Sequence, residues 1–470
     1  MKKFLTNTTL WLVGLFAGWP YGASLQAQQA PQPLSLARAV QLAVTQYPTI
    51  QAYQERVHAG EARVQEARAA WLPSARVMEQ VAAGTDNSLT GGYFPMGIIP
   101  TTVGGVRPAS VNKVAVTNFA VVTGQWELYN FGAYQALTRE AQASLDIDRA
   151  RLGKESFSIQ GLVISQYFTL AQYYSLMAIQ QRNIDRTQAV TNAIKAFVNN
   201  GLKPGVDSSV AEAELSKARL TYIELKDAYD VLRSKLALLT GLDTTAIIPD
   251  TTVNTRLAGI LYAQVAPDSA AVDQHPVITY YRSVYQDQLA REKLISRSYL
   301  PKVYFMASGL VRGSSITPAD KYQADLGSGL SYSRYNYLSG LAITYDLFDG
   351  KRKRLQLNEQ RFESRAAQKD LEAARTLVSS EVQQADIAIR TALDKLREIP
   401  VQVRAASEAY EQKLALYNAG LTNIIDLTNA LYVLNRAETD YVGATAGAWN
   451  ALFRKAYATN ALSQLLSSLN

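Results

Sequence analysis

The sequence predicts a mixed fold in which a membrane β-barrel is combined with very long α-helices. Three observations lead to this prediction. One series of elements occurs twice along the 470 residues. Each copy contains a helical pattern of roughly 67 residues, which would span on the order of 100 Å at 1.5 Å per residue. Each copy also holds two extended runs, separated by a segment rich in glycine and proline.

The duplication is visible in the spacing of matching motifs. Two prolines lie 25 residues apart in both copies (Pro48 to Pro73, and Pro276 to Pro301). At an offset of 219, Gly201 and Leu202 fall on Gly420 and Leu421. We therefore predict tandem repeats of the order helix, strand, strand, long helix, helix, with these bounds: first repeat 28–248, linker 249–267, second repeat 268–470.

The N-terminal residues 1–27 are predicted to be a signal peptide. A short basic region is followed by the apolar stretch from Leu10 to Trp19 and by the small residue Ala27, with Ala30 as the alternative cleavage site. The chain has no cysteine and two histidines, which argues against disulfides, thiolate zinc sites and histidine-rich metal sites. Basic and acidic residues alternate along the helices, which argues against a nucleic acid partner.

Each repeat begins with a helix of roughly 23 residues between its two prolines, because proline suits a first turn and ends the helix before it. Weak alternation from Tyr304 to Leu310 is typical of a barrel strand with one lipid face and one lumen face. Residues 84–108 and 314–329 are predicted loops. The predicted strands cover about 74–81, 112–129, 302–313 and 331–348.

The long helices are predicted at 133–199 and 351–418. Apolar residues from Val163 to Met177 step by three and four, the spacing of coiled coils, and Pro400 should kink the second helix or remove one of its hydrogen bonds. Shorter helices return over 207–240 and 426–466. The hairpin tips between them, at about 199–207 and 418–426, contain a helix-stopping glycine and an aspartate that favours the next helix.

This order of elements resembles the TolC-like outer membrane efflux proteins. The residues that carry the resemblance include Trp71-Leu72-Pro73, Leu239-Thr240-Gly241 and both tips. The resemblance implies a homotrimer in which each protomer gives four strands to a shared twelve-stranded barrel, continued by a long periplasmic α-helical barrel. It implies an outer membrane location with a large periplasmic part, and no cofactor. The implied partners are outer membrane lipids, a periplasmic adaptor (membrane fusion) protein and an inner membrane transporter.

Physical reasoning agrees with a shared barrel. Four strands cannot close a barrel, and unsatisfied backbone groups at an open edge in lipid cost several kcal/mol each. Aromatic side chains at the predicted strand ends are typical of a membrane-interface belt. These residues are Trp71, Trp126, Tyr129, Tyr299, Tyr345 and Phe348.

The resemblance also implies a pore constriction at the second tip. Asp426 matches the first of two acidic positions in the family, and the second falls on Asn429. Tyr417 matches a residue that holds the entrance shut, and its partner position falls on Thr422. Converging carboxylates would attract cations. The alternative is that Asp426 only favours the helix dipole, and Asp207 is predicted to belong to a capping cluster with the residues that follow it.

Gly201, Leu202, Gly420 and Leu421 are predicted to dock the adaptor, because an apolar side chain on an exposed turn is a natural anchor. The alternative is ordinary C-capping, in which the leucine packs back on its own helix. The basic run Lys351-Arg352-Lys353-Arg354 is open to two interpretations: contact with phospholipid head groups, or a solvated helix start.

The sequence therefore predicts a passive outer membrane channel for tripartite efflux or type I secretion. A periplasmic coiled-coil scaffold without a pore is the alternative, but it leaves the paired strand runs unexplained. We do not expect an enzyme, because the chain has no nucleophile elbow, phosphate loop or metal-ligand spacing.

Overall fold

The computed structural model describes residues 33–87, 109–250 and 273–469. The predicted signal peptide at 1–27, residues 88–108 of the first loop and residues 251–267 of the linker lie outside the described residues. Within the part that is described, no helix is both long enough and apolar enough to cross a membrane.

Four strands form one antiparallel sheet in the order β1-β2-β3-β4. They are β1 (Ser74–Thr85), β2 (Val114–Tyr129), β3 (Lys302–Ser314) and β4 (Arg334–Thr344). The predicted range 331–348 for the last strand is wrong at both ends. A 3-10 helix, Leu326–Leu330, has Ser331 as its C-cap, and the chain turns after Tyr345, where the Asp349 N–H donates to the Asp346 carbonyl at 3.4 Å.

The strand register separates the side chains into two faces, because neighbouring residues of a strand point to opposite sides. Val77 pairs with Val122, Val122 with Gly309 and Gly309 with Tyr337, so these residues share one face. That face is mainly apolar and also holds Trp126, Phe305, Leu341 and Ile343. The opposite face is mixed and includes Arg76, Thr123, Ser308 and Arg312.

Eight α-helices make up the remainder of the described chain, apart from loops and short 3-10 turns. They are α1 (Leu36–Gln46), α2 (Pro48–Ala69), α3 (Ala133–Asn199), α4 (Gly205–Thr240), α5 (Pro276–Ser298), α6 (Gly350–Asn418), α7 (Ile424–Ala458) and α8 (Leu462–Leu469).

The two long helices have nearly the predicted bounds. Helix α6 continues through Pro400, which lies on an exposed side and lacks an N–H, so one helical hydrogen bond is missing there, the second of the two predicted effects. The predicted last helix, 426–466, is divided into α7 and α8. Asn460 has a φ of 56°, which is incompatible with a continuing right-handed helix.

The helices form a layer with the same order as the sheet. Helix α3 contacts α2 and α4, and it also contacts α5 and α7, which both contact α6. From one edge of the layer to the other, the first place is shared by α2 and α4, the second is held by α3, the third is shared by α5 and α7, and the last is held by α6. Because α2 leads into β1 and β4 leads into α6, the sheet and the helical layer have their open edges at the same two ends.

Two main apolar clusters hold this layer together, and two minor clusters join α2 to α3 and α5 to α6. The larger main cluster joins α1, α3, α4, α6, α7 and α8, and in it Phe168 stacks on Trp449 with ring centroids 5.3 Å apart. The smaller main cluster lies near the tips and contains Ile194, Tyr417 and Leu427. The predicted coiled-coil stripe is only partly buried: Val163, Tyr167 and Leu170 are in the core, but Tyr174 is exposed.

Candidate functional site

Both hairpin tips end their long helix with the same backbone turn. Gly201 and Gly420 have φ values of 73° and 75°, a left-handed conformation that strains residues with a Cβ. The N–H of the next leucine donates to the carbonyl oxygen five residues earlier, at 2.9 Å in both tips (Leu202 to Phe197, Leu421 to Leu416). This is a glycine C-cap of the Schellman type, so the sequence signal for helix termination is confirmed.

The leucines that follow these glycines point into solvent. The exposed fraction is 68% for Leu202 and 74% for Leu421, and Val206 and Ile425 beside them are exposed as well. The alternative in which each leucine packs back on its own helix is therefore wrong. The chain therefore exposes two apolar side chains at each of the two tips of its helical layer.

Asp207 of the first tip is bonded to the second hairpin. The residue is 9% exposed, and its Oδ2 accepts a hydrogen bond from the Tyr417 hydroxyl at 3.2 Å. The predicted capping role of Asp207 is wrong, because the N-cap of α4 is Pro204 and no side chain caps it. The Asp207 side chain instead joins the end of α6 to the start of α4.

Tyr417 is the central side chain of this contact. It is 1% exposed, and Lys203 Nζ lies 4.6 Å from the centre of its ring. Burial raises the pKa of Tyr417 to about 12, and the negative charge of Asp207 adds to the shift. The hydroxyl is therefore protonated, and able to donate, throughout the physiological pH range.

Asp426 of the second tip has a different environment. Its Oδ2 accepts hydrogen bonds from Thr422 Oγ1 at 2.8 Å and from Lys413 Nζ at 3.1 Å, and its side chain is 45% exposed. These two contacts hold the pKa of Asp426 below its ordinary value, and the hydrogen bond from Thr422 is the larger cause. The cap of α7 is Asn423, whose Oδ1 accepts from the Asp426 N–H at 2.9 Å.

The structure therefore brings some of the predicted gate residues together and separates others. Thr422 contacts Asp426 rather than Tyr417, so the expected partner of Tyr417 is wrong. Asn429 is exposed on α7, three residues after Asp426. Lys413 was not predicted as a site residue. A hairpin brings residues at equal distances from its turn together, so the positions of Lys413 and Asp426 on either side of Gly420 could have indicated the pair.

The predicted aromatic belt lies where the sheet meets the helices. Trp126 Nε1 donates to the Trp71 carbonyl at 2.9 Å, and the two indole rings are 5.8 Å apart. The other members, Tyr129, Tyr299, Tyr345 and Phe348, are exposed at or just beyond strand ends. Among the described residues, no group of three or more metal-binding side chains could hold a metal ion.

Comparison with known proteins identifies the family of this architecture. A family described as outer membrane efflux protein matches residues 39–242 and 296–454. Protein CyaE of Bordetella pertussis is 27% identical over 364 residues, covering 76% of this chain and 70% of CyaE. Among solved structures, the outer-membrane channel OprN aligns with a TM-score of 0.72 at 15% identity, covering 91% of this chain and 90% of OprN. The CmeC outer membrane channel of Campylobacter jejuni aligns with a TM-score of 0.72 at 14% identity, covering 92% and 89%.

Proposed function

Because this chain belongs to the outer membrane efflux protein family, we propose that it is the passive outer membrane duct of a tripartite efflux or type I secretion system. In this proposal three copies close one barrel of twelve strands and one tunnel of helices. Cargo enters at the tips from an inner membrane transporter and leaves through the barrel. The energy for transport comes from the transporter, so the duct itself needs no catalytic residue.

The main evidence for the proposal is the four-stranded sheet, which has two open edges and one mainly apolar face. Both β1 and β4 have one edge without a strand partner among the described residues, and β4 exposes Tyr337, Leu341 and Ile343. In a bilayer such edges would leave backbone groups unsatisfied at several kcal/mol each, which pairing of β4 with β1 of a neighbouring copy removes. The two strands are antiparallel at the edges of one sheet, so this pairing is geometrically consistent. Three copies give the twelve strands that the family resemblance implies.

The helical layer supports the same assembly. Its edge helices expose apolar side chains along their length, among them Leu220 and Ile223 on α4 and Phe362 and Leu377 on α6. A monomer in water would leave these side chains hydrated, whereas the contact of α6 with α4 and α2 of the next copy would bury them. The tunnel would then end in six tips, two from each copy.

We assign the gate to the second tip and its neighbours. Asp426, which is bonded to Thr422, and the exposed Asn429 would line the constriction. Tyr417 would keep the α6–α7 hairpin against α4 through its hydrogen bond to Asp207. Opening the mouth would separate the two hairpins and break this hydrogen bond. Gly201, Leu202, Gly420 and Leu421 would meet the adaptor, because their leucines are exposed at the very end of the layer.

The scaffold alternative gains no support from the fold. A periplasmic coiled-coil protein without a pore would have no use for a four-stranded sheet whose one face is mainly apolar. The named relatives among solved structures are channels, not enzymes.

The proposal is tested by the mass and conductance of the purified protein. Protein extracted in detergent should have about three times the protomer mass, which is 51.6 kDa before any processing, and it should form channels in a planar bilayer. A stably folded monomer would rule the proposal out, and so would a trimer that conducts no ions either as the wild type or after Tyr417→Phe removes the hydrogen bond to Asp207.

A further inference from the structure

The turn between β4 and α6 carries an apolar and a basic group side by side. Leu347 and Phe348 are 77% and 96% exposed, and the basic run Lys351-Arg352-Lys353-Arg354 begins three residues later. We call these six residues the junction patch. It begins only three residues after the sheet ends at Thr344, at the level where the membrane-facing strands give way to helices.

Most of the positive charges of the junction patch have no ion-pair partner among the described residues of the same protomer. Arg352 pairs with Asp349 at 2.8 Å, but Lys351, Lys353 and Arg354 form no ion pair with another described residue. The run also occupies the first turn of α6, where the positive end of the helix dipole disfavours cations. A solvated helix start would not concentrate four cations at this place, so the arrangement favours an external anion.

The corresponding junction between β2 and α3 has no such patch. There Phe131 packs edge-on against Tyr129, with ring centroids 4.7 Å apart, and the first basic residue of α3 is Arg139. The passage from strand to helix can therefore be built without a basic run. The junction patch serves something other than the geometry of the turn.

We propose that the junction patch binds anionic phospholipids in the leaflet of the outer membrane that faces the periplasm. Phe348 and Leu347 would enter the boundary between head groups and acyl chains, where aromatic side chains are favoured, and the basic residues would hold the lipid phosphates. The inference rests on the proposed function, because it requires the sheet to cross the membrane. It adds a lipid class that the protein would select and that would fix the height of the barrel.

The basic residues of the junction patch should distinguish an anionic phospholipid from a neutral one. Phosphatidylcholine and phosphatidylglycerol both offer acyl chains to Phe348, but only phosphatidylglycerol brings an uncompensated phosphate to the basic run. Near an anionic surface each basic residue contributes attraction on the order of fivefold. Three unpaired residues should therefore give a preference for the anionic lipid of at least about tenfold, after allowance for flexible side chains.

The test measures the affinity of fluorescent phosphatidylglycerol for the purified full-length protein in detergent, with phosphatidylcholine as competitor. The variant Lys351→Gln, Lys353→Gln, Arg354→Gln should lose at least about tenfold in phosphatidylglycerol affinity. The control Arg390→Gln, Lys395→Gln, Arg404→Gln removes the same charge from exposed positions further along α6 and should bind as the wild type does. Phe348→Ser should weaken both lipids equally.

Mass and conductance are recorded for every variant, so that failures can be told apart. Wild-type protein that neither assembles nor conducts contradicts the proposed function, whereas an assembled channel without preference for phosphatidylglycerol contradicts only the lipid inference. Equal loss of affinity in the control variant would also overturn it. The triple variant could also dissociate into monomers in every lipid. In that case the three basic residues form ion pairs with the neighbouring copy, and the inference is wrong.

Discussion

At the first tip, Asp207 is buried and accepts a hydrogen bond from Tyr417 of the other hairpin, whereas at the second tip Asp426 is half exposed and bonded to Thr422 and Lys413. Both aspartates follow the turn glycine by six residues, and both turns have the same backbone geometry. The local sequence therefore determines the turn, while the side chains brought by neighbouring segments determine what each aspartate does. The first tip is a structural contact between hairpins, and the second leaves its carboxylate accessible to the proposed pore.

The largest expected effect follows from removing the side chain that joins the tips. Tyr417→Ala deletes a fully buried aromatic ring from the smaller cluster, which should cost about 3–5 kcal/mol of unfolding free energy. Hydrogen exchange should then increase at the ends of both hairpins, not only in α6. Tyr432→Ala, at an exposed position of α7, is the control and should change stability by about 0.5 kcal/mol or less. Equal exchange in both variants would mean that Tyr417 does not couple the tips.

Substitutions in the Lys413–Asp426 pair should have a smaller effect, which is a change in the cation preference of the channel. The change should be opposite in sign for the two members of the pair. Lys413→Met would leave the carboxylate unneutralised, so cation preference in a planar bilayer should rise. Asp426→Asn would leave the lysine, so cation preference should fall. Two variants that shift selectivity in the same direction, or not at all, would place the constriction elsewhere.

The same pair predicts the pH dependence of selectivity. The pKa of Asp426 is depressed, so the pairing is complete above the ordinary aspartate pKa of about 3.9 and is lost only as pH falls through the lower, folded value. Cation preference of the wild type should therefore stay constant from pH 7 to pH 5. In Lys413→Met the pKa should move up, and cation preference should begin to decline at a higher pH than in the wild type.

The smallest effect on stability is expected for the exposed leucines. Leu202→Ser and Leu421→Ser remove side chains that touch little in the protomer, so each should change the unfolding free energy by no more than about 0.5 kcal/mol. Leu427→Ala, at a fully buried position near the second tip, should cost about 2–5 kcal/mol and serves as the contrast. If Leu421→Ser destabilises the protein as much as Leu427→Ala does, its side chain is a structural anchor and not a free docking group.

The sequence predicted those features that depend on local chemistry. The turn glycines, the prolines that open α2 and α5, and the bounds of α3 follow from backbone preferences of nearby residues, and the structure confirms them. The partners of Asp207 and Asp426 were not predicted correctly. Asp207 meets Tyr417 across 210 positions, a contact that depends on how α4 packs against α6 and α7 and that no local pattern contains. The start of β4 was missed for the same reason, because the 3-10 helix that precedes it is held against Val116 and Asn118 of β2.

We propose that the buried hydrogen bond between the two hairpins holds the mouth of the duct closed, and a double-mutant cycle on single-channel conductance can test this role. Tyr417→Phe leaves the buried Asp207 carboxylate without its donor, and Asp207→Ala removes the acceptor. We expect each variant to raise the conductance of the resting channel and the double variant to add little to the larger of the two single effects. Unchanged conductance in all three, or effects that simply multiply, would contradict it.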